Sequence, residues 1–295
     1  MKHLMKSSKS LILYIAFVGA IIVATLVTVL SLIACGARYW WAGELLSQLR
    51  PQYAFALALC LPLIVWRFRR AGWLTLIPIL INFGTFGSLY LPRQQVASPT
   101  SREFTALHYS LDNALPSHAE AFAYLRDHPV DILSLQEFTP EDAAQLSQEL
   151  SGYEIAYSNP MTNSQGSAVL ISIRSGIQVR SAEIIHLPKS SVRPLIETTL
   201  DIQGYSIAFL SLHVIRPINA RNIGFQQDEF AAVAKWSRHR QEQGRAVLIL
   251  GDFNSTSWSM NFRQFQQAGH LLNSEQGFGL EPTWPAGLPS LFTGS

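Results

Sequence analysis

The sequence predicts an α/β fold in which two packed sheets are flanked by helices, preceded by a small bundle of apolar helices. Three observations carry that prediction. Residues 1–92 are apolar almost throughout, whereas the chain from about residue 100 onward has the mixed composition of a globular domain. In that second part strand-like runs of about five to nine residues alternate with helical stretches, and some neighbouring strands are joined by turns that favour hairpins. The apolar run Ala246-Val247-Leu248-Ile249-Leu250 leads directly into Gly251-Asp252-Phe253-Asn254. Strand side chains alternate with period two, so Asp252 and Asn254 are expected on one face at a strand end.

The apolar part comes first. Leu11 to Ala34 is 24 residues without a charge, against the roughly 20 needed to cross a hydrocarbon core. Lys2, Lys6 and Lys9 precede it, as they would precede a signal peptide. The run exceeds the about 7–15 residues of a signal core, and no small-x-small cleavage site follows, so an uncleaved span is the reading taken. Gln52–Trp66 and Trp73–Leu91 are also charge-free, the second containing Pro78 and two glycines. Membrane helices tolerate both residue types. Buried core helices are the alternative, but three such segments so close together favour a membrane bundle. Arg67, Arg69 and Arg70 join the three lysines on one side if the chain crosses three times, while Arg38, Arg50 and Glu44 fall in the loop on the other. The positive-inside tendency then places everything after Leu91 outside the cytoplasm. Tyr39, Trp40, Trp41, Trp66 and Trp73 lie at span ends, where interfacial aromatics concentrate.

Charge divides the same way. Residues 1–95 hold nine Lys or Arg and one Asp or Glu, a net of +8, and residues 96–295 hold thirteen and nineteen, a net of −6. An acidic outer domain is a poor general binder of duplex DNA, whose affinity comes mainly from Lys and Arg on phosphates. A bound cation could still draw in one phosphate. The only cysteines, Cys35 and Cys60, lie at or inside spans, so the outer domain has no disulfide framework and rests on its own core. Residues 93–102 read as a linker between an anchor, 1–92, and a domain, 103–295.

Within that domain Phe104–Tyr109 is a strand, and Pro116 to His128 carries Ala119, Phe122, Ala123 and Leu125 at helical spacing. Asp131–Leu135 is a compact strand ending in Gln136-Glu137. Thr139-Pro140-Glu141 opens a helix to about Leu150, with Thr as cap and Pro in the first turn. Strands are expected at about 153–157, 166–173, 178–186, 194–202 and 205–212, the last two joined by Gln203-Gly204 as a hairpin. A long amphipathic helix runs from Asn219 to Gln243, then the strand at 246–251, then a helix from about Ser257 to Gln267.

Several residues at these element ends could carry chemistry. Asp252 can bind a divalent cation or orient a water, and Asn254 can hydrogen-bond an oxyanion. Glu137, alone, reads as a solvent-facing strand-end acid. It gains weight beside Asp252, because a hard cation takes carboxylate oxygens that converge. His213 ends a strand and could donate a proton or hydrogen bond to a phosphate, although a lone histidine is more often structural. Arg193 and Arg221 suit phosphate contacts and equally suit surface ion pairs.

In this order and spacing, Asp131…Gln136-Glu137, Arg193-Pro194, Ser211-Leu212-His213, Arg221-Asn222 and Gly251-Asp252-Phe253-Asn254 resemble the endonuclease/exonuclease/phosphatase family over roughly residues 103–285. The resemblance looks closest to a branch of bacterial membrane proteins with a short helical anchor and an outward-facing domain, in which Trp258-Ser259 and Thr283-Trp284-Pro285 also have counterparts. It implies a four-layer α/β sandwich of the DNase I-like kind, with the site at the strand ends joining the sheets. It implies Mg²⁺ or Mn²⁺ on Glu137, Asp252 orienting the nucleophile, Asn254 contacting phosphate and His213 assisting near the leaving group. The reaction would be in-line attack by water on a phosphoester.

Two departures shape the expectations. Where the family has asparagine at the end of its first strand, this chain has Ser110, with Asn113 three residues on; both are candidates for phosphate binding. The family's late Asp-His pair has no counterpart before Ser295, and its final strand is also expected to be missing. The expected function is therefore a membrane-anchored phosphoesterase acting on an extracytoplasmic phosphodiester or pyrophosphate, with a phosphorylated substrate, either lipid-linked or free. The alternatives are a pseudoenzyme or truncated fragment that keeps a phosphate or cation pocket, and an exported nuclease. The loops carry no code for one substrate, and nothing specifies an oligomeric state.

Overall fold

The computed structural model describes residues 2–92 and 103–281. The linker at 93–102 and the Thr283-Trp284-Pro285 segment with the chain end lie outside those residues.

Helix α1 (Lys2–Cys35) and helix α4 (Leu76–Phe86) flank helix α3 (Arg50–Phe68). Ala20, Ala24 and Val27 of α1 pack on Tyr53, Leu57, Cys60 and Ile64 of α3, with Ile79 of α4 against the same cluster. The chain reverses between α3 and α4 through a 3-10 turn, Arg69–Thr75, with Arg69 in the left-handed region at φ 50°. Large apolar side chains cover the outside of the unit: Ile22, Leu26, Leu32, Leu59 and Leu80 are all more than half exposed. Two stretches, Leu11–Cys35 and Arg50–Tyr90, are apolar and long enough to cross a membrane by length and composition. The second is 41 residues and holds both apolar segments expected from the sequence except Leu91.

Two details of this unit differ from expectation. The loop after α1 contains a short helix, α2 (Trp41–Ser47), in which Glu44 and Ser47 are buried. Seven residues are too few for a helical period to declare itself, and this helix buries polar side chains. Arg50, expected in the loop, is the first residue of α3 and buried; it donates to Asn82 Oδ1 at 3.1 Å and Cys35 Sγ at 3.6 Å.

Among the described residues the second part holds two four-stranded sheets. One has the order β1 (Ala106–Ser110), β2 (Ile132–Gln136), β4 (Ser167–Ser172), β3 (Tyr153–Asn159). The other has the order β5 (Gln178–Ile185), β6 (Leu195–Ile202), β7 (Tyr205–His213), β8 (Ala246–Asp252). Only β1–β2 and β7–β8 are parallel. Each parallel pair needs a crossover, supplied by α5 (Ala119–Asp127) and by α7 (Ala220–Glu242). Gln203 and Gly204 both have positive φ, as a two-residue hairpin that follows the strand twist requires. Thr139 and Asp142 form a capping box on α6 (Pro140–Glu149).

Strand alternation sorts the core into layers. Leu107, Leu133, Leu135, Ala168 and Leu170 face α5 and α6. Ala208, Leu210, Leu212, Val247 and Ile249 face α7 and α8 (Met260–Ala268). Ile132, Val169, Ile171, Ile196, Leu200, Ile207 and Phe209 meet between the sheets. The result is helices, sheet, sheet, helices, the DNase I-like arrangement. Along the inter-sheet face the residue type changes toward the C-terminal ends of four strands. Ala106 gives way to His108 and Ser110, Ile132 to Ser134 and Gln136, Phe209 to Ser211 and His213, and Leu250 to Asp252.

Candidate functional site

Those four polar strand ends converge. Ser211 bridges the sheets, its Oγ 2.8 Å from Ser134 Oγ and accepting Gln136 Nε2 at 2.8 Å. Above this seam His213 Nε2 lies 3.6 Å from Asp252 Oδ2. The two residues are paired in register on the parallel strands β7 and β8. Gly251 permits the approach: at φ 147°, a Cβ there would fall 1.9 Å from Leu212 O. Only glycine fits between the strands just before the carboxylate.

Asn254 reaches the site differently from the strand-face argument. β8 ends at Asp252, and Asn254 is turned into the left-handed region at φ 45°. Its N–H donates to Asp252 Oδ1 at 2.8 Å, its Nδ2 donates to Val214 O at 2.9 Å, and its Oδ1 accepts Arg216 Nε at 3.3 Å. A carboxamide nitrogen carries two donors, so one N–H is left to face a ligand. Glu137 follows β2 and is also left-handed, at φ 58°, a conformation uncommon for a residue with a long side chain. It is buried, and one carboxylate oxygen accepts the backbone N–H of Asn113 at 3.0 Å. Asn113 thus reaches the site through its main chain. Ser110, at the end of β1, is exposed.

His118 holds the loop that carries Asn113. Its Nδ1 is 2.7 Å from Asp142 Oδ1 and its Nε2 3.1 Å from Asp112 O. Burial works against a charged ring there, but Asp142 and the Asp112 carbonyl together outweigh it and raise the pKa.

The two arginines separate. Arg193 donates Nε to His213 O at 3.1 Å. Burial lowers its pKa, and the charges of Glu229, Asp252 and Glu137 oppose that. One guanidinium therefore lies within electrostatic reach of all three carboxylates. Arg221 is exposed at the start of α7, its guanidinium over the Phe225 ring at 5.3 Å. The structure brings Glu137, Arg193, His213, Asp252, Asn254 and the Asn113 backbone together, whereas Arg221 stands exposed over Phe225.

His108, Gln226 and Glu229 were not singled out from the sequence, and Asn222 entered only within the Arg221-Asn222 pair. His108, inside β1, has its Nε2 buried without a hydrogen-bond partner among the described residues. Burial pushes its pKa down to about 4, with Asp252 opposing and His213 reinforcing the shift. His213 is lowered too, by burial first, with Asp252 opposing and Arg193 adding to it. Both rings are therefore neutral near pH 7. On α7, Asn222, Gln226 and Glu229 point a polar stripe at the loop after β7: Asn222 Nδ2 donates to Arg216 O, Gln226 Nε2 to Ile215 O and Asn254 O, and Glu229 accepts Ile215 N. The available signals were period two for His108-x-Ser110 and an i, i+4, i+7 spacing for the α7 residues.

Among the described residues no group of three His, Cys, Asp or Glu side chains is placed to hold a metal ion. Mg²⁺ does not demand such a cage; it keeps several waters and takes one or two carboxylates plus substrate phosphate. Glu137 is buried and makes no ion pair among the described residues. The Arg193 charge reaches it only at longer range than an ion pair, and a buried carboxylate without a close cation is costly, so Glu137 fits a hard cation bound with phosphate and water.

Residues 108–294 match the Endonuclease/Exonuclease/phosphatase family, whose members generally use divalent metals. No curated protein sequence matches the chain. Among solved structures, TDP2 from C. elegans is similar at 20% identity over 53% of this chain and 49% of its own, with a TM-score of 0.46. The mannosyl-6-phosphatase Bt3783 of Bacteroides thetaiotaomicron is similar at 16% identity over 57% and 71%, with a TM-score of 0.46. The human Nocturnin catalytic domain, with a bound sulfate, is similar at 17% identity over 52% and 63%, with a TM-score of 0.41. The chain spans about half the length of the C. elegans TDP2 structure it matches. With a family match over more than half its residues, the chain belongs to the Endonuclease/Exonuclease/phosphatase family.

Proposed function

We propose that the chain is a membrane-anchored, metal-dependent phosphoesterase that hydrolyses an extracytoplasmic phosphodiester or pyrophosphate. The observation that carries this is the meeting of Glu137, Arg193, His213, Asp252 and Asn254 at the C-terminal ends of β2, β7 and β8. Asp252 places Oδ2 3.6 Å from the neutral imidazole of His213, so it orients the attacking water and receives its proton. His213, held neutral by burial, accepts a hydrogen bond or relays a proton. Arg193 and the spare N–H of Asn254 take the phosphate oxygens, and Arg193 offsets charge as it builds there. Glu137 would hold Mg²⁺ or Mn²⁺, which when bound supplies a Lewis acid for the phosphoryl oxygen.

The anchor reading draws on the apolar exterior of α1, α3 and α4. The outer domain rests on one end of that unit, where Gly277 N and Gly279 N both donate to Leu89 O just beyond α4. The basic turn with Arg67, Arg69 and Arg70 lies between α3 and α4. That arrangement suits three crossings of a bacterial inner membrane with the basic turn inside and the domain outside. A tethered site and an acidic domain favour a small or lipid-linked phosphate over duplex DNA.

The test uses the full chain in detergent micelles with a chromogenic phosphodiester and Mg²⁺ or Mn²⁺. Hydrolysis is expected, EDTA should abolish it, and Asp252→Ala should lower kcat by about 10²–10⁴. Activity that survives either treatment overturns the mechanism.

A further inference from the structure

The loop that carries Asn254 does not end within the outer domain. It runs through Ser255-Thr256-Ser257-Trp258-Ser259 into α8 and lies against α2 of the helical unit. Gln48, the residue that ends α2, accepts the Thr256 N–H on its Oε1 at 2.9 Å and the Trp258 indole N–H on its carbonyl at 3.0 Å. Trp258 is buried with Ala54, Phe86 and Leu89 of the helical unit. A second route runs deeper. Glu44 Oε1 accepts Asn261 N at 3.3 Å, Asn261 Nδ2 donates to Gln226 Oε1 at 3.4 Å, and Gln226 Nε2 donates to Asn254 O at 3.1 Å. Glu44 and Gln226 are fully buried and Asn261 nearly so, so water does not compete for these bonds.

Asn254 needs such support. A non-glycine residue in the left-handed region persists where its surroundings over-determine it. The surroundings here include two residues more than 200 positions earlier in the chain. We propose that α2 is part of the site's scaffold: Gln48 and Glu44 are positioning residues that hold the β8–α8 loop and thereby aim Asn254. The catalytic consequence rests on the phosphoesterase reading; the docking does not. It follows that the helical unit is more than a tether, and that the outer domain cut away from it loses part of its site's support.

The experiment uses the full chain in detergent with two substitutions. Gln48→Met keeps the side chain's length and removes its acceptor; Gln48→Glu keeps an acceptor. Hydrogen exchange is followed at residues 253–262, and kcat and KM are measured on the chromogenic phosphodiester. Gln48→Met is expected to speed exchange at the Thr256 amide about tenfold and to lower kcat by about tenfold with KM within about twofold, since small misplacements of a positioning group cost rate. Gln48→Glu is expected to restore both. Where Gln48→Met does not fold, Trp258→Phe, which removes the indole N–H together with part of the ring, is read in the same way at the Thr256 amide. Unchanged exchange overturns the docking, and faster exchange with unchanged kcat overturns the positioning role. A wild-type chain without hydrolysis overturns the reading of the site and the positioning role with it, while the exchange measurement still decides whether α2 holds the loop.

Discussion

The layer between the two sheets has two ends built by the same strands. At one end Ile132, Ile196, Leu200, Ile207 and Phe209 fill the gap with apolar volume. At the other His108, Ser134, Gln136, Ser211, His213 and Asp252 occupy equivalent positions two or four residues further along. Burial extends into both, with Phe209 and Ser134 fully buried and Ser211 nearly so, while His108 and Asp252 keep some exposure. What differs is what burial does. Apolar side chains gain by leaving water, whereas buried polar groups break even only when each finds a partner. Strand pairing thus fixes the geometry at both ends, and the change of residue type turns one end from a filler into a site.

The sharpest way to test that contrast is to remove the bulk of Phe209. Phe209→Ala should cost about 3–5 kcal/mol of stability, as a fully buried phenyl ring leaves a cavity. Urea unfolding followed by near-UV dichroism measures it. Hydrolysis per folded molecule should stay within about twofold, because the apolar end holds no reacting group. A loss below about 1 kcal/mol would mean that this end is loosely packed and that the comparison is misdrawn.

The next effect is in pH. His108 is held well below its ordinary pKa, at about 4. The unfolded chain therefore binds a proton near pH 6.5 that the folded chain refuses until about pH 4. Stability should be full above about pH 6.5 and fall as pH drops toward 4, by up to about 3 kcal/mol from this group. His213 pulls in the same direction. His108→Gln should flatten that stretch of the profile. An unchanged slope in the variant would show that His108 is not buried beside Asp252.

The smallest effect concerns the seam itself. Ser211→Ala strips the partner from Gln136 Nε2 and from Ser134. It should cost about 1–3 kcal/mol, the penalty for leaving a buried donor unpaired. Two residues from Phe209 on the same strand face, this change alters almost no volume. A cost equal to that of Phe209→Ala would erase the distinction between the two ends.

Much of this architecture was legible from short stretches of sequence. Among the described residues, the eight strands and the helices that follow residue 103 lie where alternation and helical spacing put them, and Thr139 caps α6 as its place before Pro140 indicates. Glu137, His213 and Asp252 were readable as strand-end residues. The left-handed turns at Glu137 and Asn254 were not, because glutamate disfavours a positive φ and asparagine tolerates one without requiring it. Nor was the meeting of His108 with Asp252, since it depends on β1 of one sheet facing β8 of the other.

The sequence by itself determined which face each strand and helix turns inward, because period two and period 3.6 are properties of local backbone geometry. It also placed a carboxylate at the end of β8, since Gly251-Asp252 follows an unbroken apolar run. Only the tertiary structure decided that a buried polar stripe of α7 would clamp the loop after β7, and that Glu44 would meet Asn261 across 217 residues of chain. Contacts of that kind arise from how layers pack, and no local period records which layers will touch.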